Sequence, residues 1–298
     1  MQTSIYIDNH QFRAIVGKDN GRTVKINKYC YQSLAPGLVK NGVIENFSGL
    51  AQSLSVFFAQ NHLSRRQVNL VLDCDSAVTK IMETPLLPAK KLRQLIQGEF
   101  TAQNGTDLLC DYQVLKPVIK PAGGRILACG LDKQITGQFL DLFNRIGVEL
   151  VNMDLALTCA IHFCNRINGL RRQTYIVTVL EGTDIVSMLF IDGVYSVSNR
   201  SRLFEQRGTP AAAVEISRTL SSLAQFNTAQ KNGQVITNAI ICGMQGDEMD
   251  FCADISALLD MQVEIMPEWP EIKFDVSSSK VITAGDYIYC IGDIMRRN

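Results

Sequence analysis

Apolar and polar positions alternate along much of this chain and switch repeatedly to a helical spacing. In residues 4–17, Ile5 and Ile7 precede a polar Asp8-Asn9-His10-Gln11 stretch, and Phe12, Ala14 and Val16 follow it. Period-two patterning on both sides of a polar turn predicts a β-hairpin. Residues 24–30 predict a third strand. Leu50, Leu54, Phe57 and Phe58 then share one face of a helix that Ser48 would cap, and residues 68–72 predict a buried strand. Hairpin, strand, helix and strand in that order suit a mixed sheet covered by helices.

The pattern restarts at residue 78. Residues 78–83 read as extended. A helix over 89–103 carries Leu92, Leu95, Ile96 and Phe100 on one stripe and is followed by Gly105. Strands at 109–115 and 125–131 are joined by a loop holding Pro117, Pro121, Ala122, Gly123 and Gly124. Asp132 caps a helix bearing Ile135, Phe139, Leu142, Phe143 and Ile146, Gly147 stops it, and residues 148–153 are a strand. The order βαββαβ predicts a small split βαβ module over 78–153.

Asp154 caps a helix over 155–168, and strands follow at 174–180, 184–191 and 195–201, with Asp192-Gly193 as a hairpin turn. Thr209 and Pro210 open a helix of roughly twenty residues. A strand at 239–243, a helix capped by Asp247, a strand at 262–266, an irregular stretch around Trp269 through residue 279 and a helix over 286–297 complete the chain. The layout near residue 4 thus recurs near residue 174. Residues 1–77, 154–172 and 284–298 are expected to form a first domain, residues 78–153 an inserted module, and residues 173–283 a second, related domain.

Composition narrows the function classes. Lys and Arg balance Asp and Glu at 29 against 29, with no basic stripe to favour a nucleic-acid partner. No apolar run approaches ~18 residues, so membrane contact is expected only through partners. Nine cysteines lie singly with no CxxC spacing, which predicts reduced, mostly buried thiols in a cytosolic protein. Cys159, His162 and Cys164 do not make a metal site. At ~100° per residue, Cys164 lies about 140° round the helix from Cys159 and about 160° from His162.

Several local runs carry a resemblance. Leu92-Arg93-Gln94-Leu95-Ile96-Gln97-Gly98-Glu99, followed by Asp111-Tyr112-Gln113-Val114-Leu115, is similar to the inserted module of the PilM family. Val214-Glu215-Ile216-Ser217-Arg218-Thr219-Leu220 resembles that family's Glu-Ile-x-Arg-Ser-Leu helix, and residues 146–154 resemble the run leaving its insert. PilM proteins are cytoplasmic, actin-like parts of type IV pilus assembly. The resemblance implies an α/β, actin-like ATPase fold of two related domains with a βαββαβ module inserted in the first.

The resemblance also identifies three segments that would hold ATP. Asp-x-Gly turns need glycine because the backbone must approach phosphate closely. Here Asp8 is kept, but Asn9 and His10 stand where x and Gly belong. The family's Asp-Ile-Gly-x-x-Thr matches Thr178-Val179-Leu180-Glu181-Gly182-Thr183, so the Mg²⁺-organising carboxylate is Thr178 and the glycine is Leu180. Ile241-Cys242-Gly243-Met244-Gln245-Gly246 keeps Gly243 of the adenosine-binding pair. His10 and Leu180 are expected to fill phosphate space, and ATP hydrolysis is not expected. Weak binding of ATP and Mg²⁺ stays open, and Asp8 alternatively serves the turn itself by side-chain hydrogen bonds.

By resemblance, a non-catalytic adaptor would bind the cytoplasmic tail of a PilN-like inner-membrane protein, alongside other pilus inner-membrane components, in a groove beside the module. Leu95, Ile96 and Glu99 are the candidate contacts, with the alternative that Leu95 and Ile96 belong to the module's own core. Two other readings remain: an ATP-binding actin-like ATPase of the same family, and a cytoplasmic adaptor of type II secretion.

Overall fold

Strands β1 (Gln2–Ile7) and β2 (Gln11–Asp19) form the hairpin that alternation predicts, and β3 (Val24–Ser33) lies beside β2. The computed structural model describes residues 1–85, 87–104, 107–119, 123–231, 233–244, 246–259, 261–276 and 282–296. Several expectations fall outside them: the Gly105 stop, Pro121 and Ala122 of the module loop, Gln245, residues 277–279 and residue 297. The side chain of Asp247 is outside them as well.

The chain divides into two units, Met1–Val16 with Tyr29–Thr158, and Gly17–Lys28 with Cys159–Asn298. This boundary, set by contacts, groups residues 159–172 and 284–298 with the second unit, whereas the pattern of elements alone suggested the first.

In the first unit, β4 (Val39–Lys40) and β5 (Val43–Ile44) make a small hairpin, and α1 (Phe47–Gln60) follows. Asn46, not Ser48, caps α1, its side chain accepting the Gly49 N–H at 2.9 Å. Either residue type suits the position, and the chain turns two residues earlier than expected. β6 (Val68–Leu72) pairs in parallel with β1. Then come β7 (Val78–Thr84), α2 (Ala89–Asn104), β8 (Leu108–Ile119), β9 (Gly123–Asp132), α3 (Lys133–Arg145) and β10 (Leu150–Leu155).

The βαββαβ order is present, but its packing is not a single sandwich. Only β7, β9 and β8 form the module's sheet, in that order, with Leu92, Ile96 and Phe100 of α2 packed on Leu108, Ile126 and Ala128. β10 instead pairs in parallel with β6, and Phe139, Leu142 and Phe143 of α3 join Leu50, Leu54, Phe57 and Phe58 of α1 in the first unit's main core. The apolar stripe of α3 fits a helix-covered sheet face as well as it would fit a module, so periodicity could not choose between them. The expected proline-glycine loop is also shorter than predicted, because β8 continues through Pro117 as an edge strand, where a missing N–H costs no ladder bond.

In the second unit, α4 (Ala156–Arg166) leads to β11 (Tyr175–Glu181), β12 (Asp184–Ile191) and β13 (Val194–Arg202). Asp192 and Gly193, both at positive φ, make the tight β12–β13 turn. α5 (Pro210–Ala229) begins at Thr209, whose hydroxyl accepts the Ala212 N–H. β14 (Asn238–Cys242), α6 (Phe251–Leu258), β15 (Gln262–Ile265), β16 (Ile272–Phe274) and α7 (Ile288–Ile294) follow. A 3-10 turn, Gly246–Glu248, precedes α6, so Asp247 does not stand at that helix's start. β16, which falls in the stretch expected to be irregular, pairs in parallel with β3. Its three residues are too few to show a period.

The sheet of the second unit runs β13-β12-β11-β14-β15, with β11, β14 and β15 parallel. Its core joins Ile176, Leu180 and Ile185 to Ile216 and Leu220 of α5 and to Ile255 of α6. All of α7 is buried, and Gly292 lets it close on α4, since a Cβ there would stand 1.9 Å from the Cys159 carbonyl oxygen. Arg166 of α4 reaches both oxygens of Asp19, at 2.8 and 3.1 Å, and the Met295 carbonyl.

Candidate functional site

The β1–β2 turn of the first unit keeps its aspartate but turns the carboxylate inward. Asp8 is 4% exposed. Its Oδ1 accepts the N–H groups of His10 at 2.6 Å and Gln11 at 2.8 Å, and its Oδ2 accepts the Gln11 side-chain amide at 2.9 Å. A short polar side chain that mimics a backbone turn does this commonly. Asn9 fastens the same turn to the β4–β5 hairpin: its Oδ1 accepts the Asn41 N–H at 2.6 Å. The His10 carbonyl accepts the Leu34 N–H, while its side chain is exposed.

The β11–β12 turn of the second unit is built differently. Thr178 is fully buried, and its hydroxyl meets that of Ser187 directly opposite, at 2.8 Å. The ladder continues through Leu180 opposite Ile185 to Glu181 opposite Asp184, leaving only Gly182 and Thr183 as the turn. The Leu180 side chain is therefore part of the sheet core.

His10 and Leu180, the two residues expected to fill phosphate space, lie in different surroundings. His10 points to solvent, and Leu180 is a regular strand residue packed among apolar neighbours. Hydrogen bonds engage the polar groups at these positions: the turn takes up the Asp8 carboxylate, and the Thr178 hydroxyl pairs with that of Ser187. Gly243 has a backbone reason to be glycine without any nucleotide. Its φ is +77°, and a Cβ there would stand 2.3 Å from the Leu180 carbonyl oxygen.

Two residues that sequence reasoning missed sit at this end of the second unit. The Nε of Arg207 donates to Glu248 Oε1 at 2.8 Å, and Nη2 donates to Glu248 Oε2 at 2.5 Å and to the Gly243 carbonyl at 2.8 Å. Nη1 donates to the Gly182 carbonyl at 3.3 Å. The partners are 41 positions apart, and neither local pattern nor spacing signals the pair.

On the module, Leu95 is 43% exposed and Ile96 is fully buried in the packing of α2 on its sheet. Ile96 is therefore withdrawn from the partner surface: 100° of rotation per residue puts it on the inner side when Leu95 lies outside. Glu99 binds Lys80 of β7 at 2.5 Å.

All nine cysteines are free, and seven are buried. Burial pushes the Cys164 thiol up to about 12 and that of Cys252 up to about 11. Cys129 is raised to about 12, by burial first and then by Asp154 and Asp111. Among the described residues no group of His, Cys, Asp and Glu could hold a metal ion.

No family model and no curated protein matches the sequence. Solved structures do. The chain is similar to a PilM–PilN type IV pilus biogenesis complex at a TM-score of 0.82 and 13% identity, covering 99% of this chain and 97% of that one. A Bacteroides thetaiotaomicron protein of actin-like ATPase fold and unknown function matches at 0.52 and 15% identity, over 89% and 90% of the two chains. The cytoplasmic domain of EpsL, an inner membrane component of the Vibrio cholerae type II secretion system, matches at 0.51 and 9%, over 99% and 95%. The chain has the actin-like ATPase fold.

Proposed function

We propose that this chain is a non-catalytic adaptor of type IV pilus assembly, held at the inner face of the cytoplasmic membrane by its partners. The observation that carries this reading is the 0.82 likeness to the PilM–PilN complex at 99% and 97% coverage, which extends over nearly the whole of both chains. Non-catalysis is supported by the engaged Asp8 carboxylate and by Thr178 in place of an acid, since Mg²⁺-assisted phosphoryl transfer needs a carboxylate free to organise the ion and its water. Among the described residues no helix is long and apolar enough to cross a membrane, which agrees with recruitment through a partner.

The partner in this reading is the extended cytoplasmic tail of a PilN-like membrane protein. β8 lies at an edge of the module's sheet, and an edge offers main-chain donors and acceptors to an added strand. Leu95 supplies exposed apolar surface on the same module and Glu99 a charge beside it. A labelled synthetic tail peptide of PilN type is expected to bind saturably by fluorescence anisotropy, and Leu95→Asp to weaken binding about tenfold with the thermal transition unchanged. Absence of binding by a protein with an intact cooperative transition overturns the adaptor reading. Sustained release of inorganic phosphate from MgATP by the pure protein overturns the non-catalytic half of it.

A further inference from the structure

In the second unit the chain leaves β11 towards β12 and β13 on one side, and leaves β14 towards β15 on the other. Such a reversal opens a crevice at the carboxyl ends of the two central strands, the place where open α/β sheets bind their ligands. Gly182 follows β11 there and Gly243 follows β14. A phosphate site at this place would present backbone N–H groups. Here the carbonyl oxygens of Gly182 and Gly243 both face the Arg207 guanidinium. The polarity of the crevice is inverted: it is built to take a cation.

We propose that residues 203–209, between β13 and α5, are a built-in strap whose arginine occupies this crevice and keeps it closed without a ligand. The first half of the strap is fastened twice. The Leu203 N–H donates to the Thr183 carbonyl at 2.7 Å, on the β11–β12 turn. Phe204 and Glu205 donate their N–H groups to Glu215 Oε2 of α5 at 2.9 and 3.4 Å. Arg207 then bridges Gly182 to Gly243, and Glu248 neutralises it from the far side. The two charges are 17% and 6% exposed at their side chains, and each compensates the other. Holding the strap this way also leaves the Phe204 side chain 90% exposed, an orientation that its own burial energy does not favour.

The inference is independent of the adaptor reading and is tested by a different measurement. Hydrogen exchange of peptides covering 182–184 and 203–207 is expected to be slow in the native protein and unchanged by excess MgATP or inorganic phosphate. Arg207→Ala is expected to speed it about tenfold or more, while β12 stays protected as a folding control. Added methylguanidinium is expected to slow exchange again in Arg207→Ala and not in the native protein. Should Arg207→Ala fail to fold, Arg207→Lys and Glu248→Gln, which keep the volume but lose the fork or the charge, are expected to give intermediate rates. Protection of the native peptides by MgATP or phosphate, or unchanged exchange in the variants, overturns the strap.

Discussion

The two hairpin turns, one in each related half of this chain, are held in different ways. The β1–β2 turn retains an acid, and that acid is satisfied within four residues by two backbone N–H groups and a glutamine side chain. The β11–β12 hairpin has Thr178 where the resemblance places its acid: its strand pairing runs on to a two-residue turn flanked by Glu181 and Asp184, and the groups that hold it arrive from residues 202–207 and 248. The carboxylate of the first is satisfied by local chemistry, whereas the turn carbonyls of the second are satisfied by long-range chemistry. The two turns therefore carry different stabilising demands, and substitutions should separate them.

The largest effect is expected at Gly243. Alanine there would combine a left-handed backbone with a Cβ 2.3 Å from the Leu180 carbonyl, which must move the β14 loop. A loss of roughly 3 kcal/mol, read from the urea midpoint, is expected. A loss under about 1 kcal/mol would show that the loop yields freely and is not held against β11.

Asp8→Ala removes one carboxylate that serves three donors, two of them buried, and is expected to cost about 2 kcal/mol. Asp8→Asn keeps one acceptor oxygen and is expected to cost about half that. If neither variant shifts the midpoint, the turn does not depend on its aspartate and the contrast between the halves disappears.

Thr178→Val isolates the Ser187 hydroxyl in a fully buried position and is expected to cost about 1–2 kcal/mol. Adding Ser187→Ala should restore part of the loss, because removing both partners strands neither. A purely additive double variant would mean that the two hydroxyls do not interact.

The thiols give the smallest effect near neutral pH. Cys129, Cys164 and Cys252 are held above the ordinary value of 9.0 mainly by burial, so the folded state favours their neutral forms. Their contribution to stability is complete below pH 9.0 and falls as pH rises towards about 12, when the unfolded chain ionises first. Denaturation midpoints should be flat up to about pH 9 and decline beyond it. Alkali-induced loss that persists in Cys→Ala variants of these three positions would assign the decline to other groups.

Much of the fold was legible because its signals are local. The alternation in residues 4–17, the Thr209-Pro210 start of α5 and the Asp192-Gly193 turn each report a conformation that neighbouring residues decide. The candidate site was legible only in part. Asp8, Thr178, Leu180 and Gly243 could be picked out by position, and the bonding of Asp8 within its own turn was available as an alternative. The Arg207–Glu248 pair was invisible, because two charged residues 41 positions apart look like any other solvated residues until the chain brings them together. At α2, the stripe could not separate Leu95 from Ile96, because adjacent residues on a helix edge are assigned to core or surface by what packs against them.

The sequence by itself determined the order of elements, the repeated half-domain layout, the absence of a phosphate-compatible glycine at positions 10 and 180, and the scattering of the thiols. These follow from periodicity, turn chemistry and residue identity, which act over a few positions. Tertiary structure alone decided that α3 and β10 leave the module for the first unit's core and that β16 pairs with β3. It also decided that the loops after β11 and β14 turn their carbonyls to an arginine. Those outcomes depend on which buried surfaces and unpaired backbone groups meet, and that is set by the closure of the whole chain.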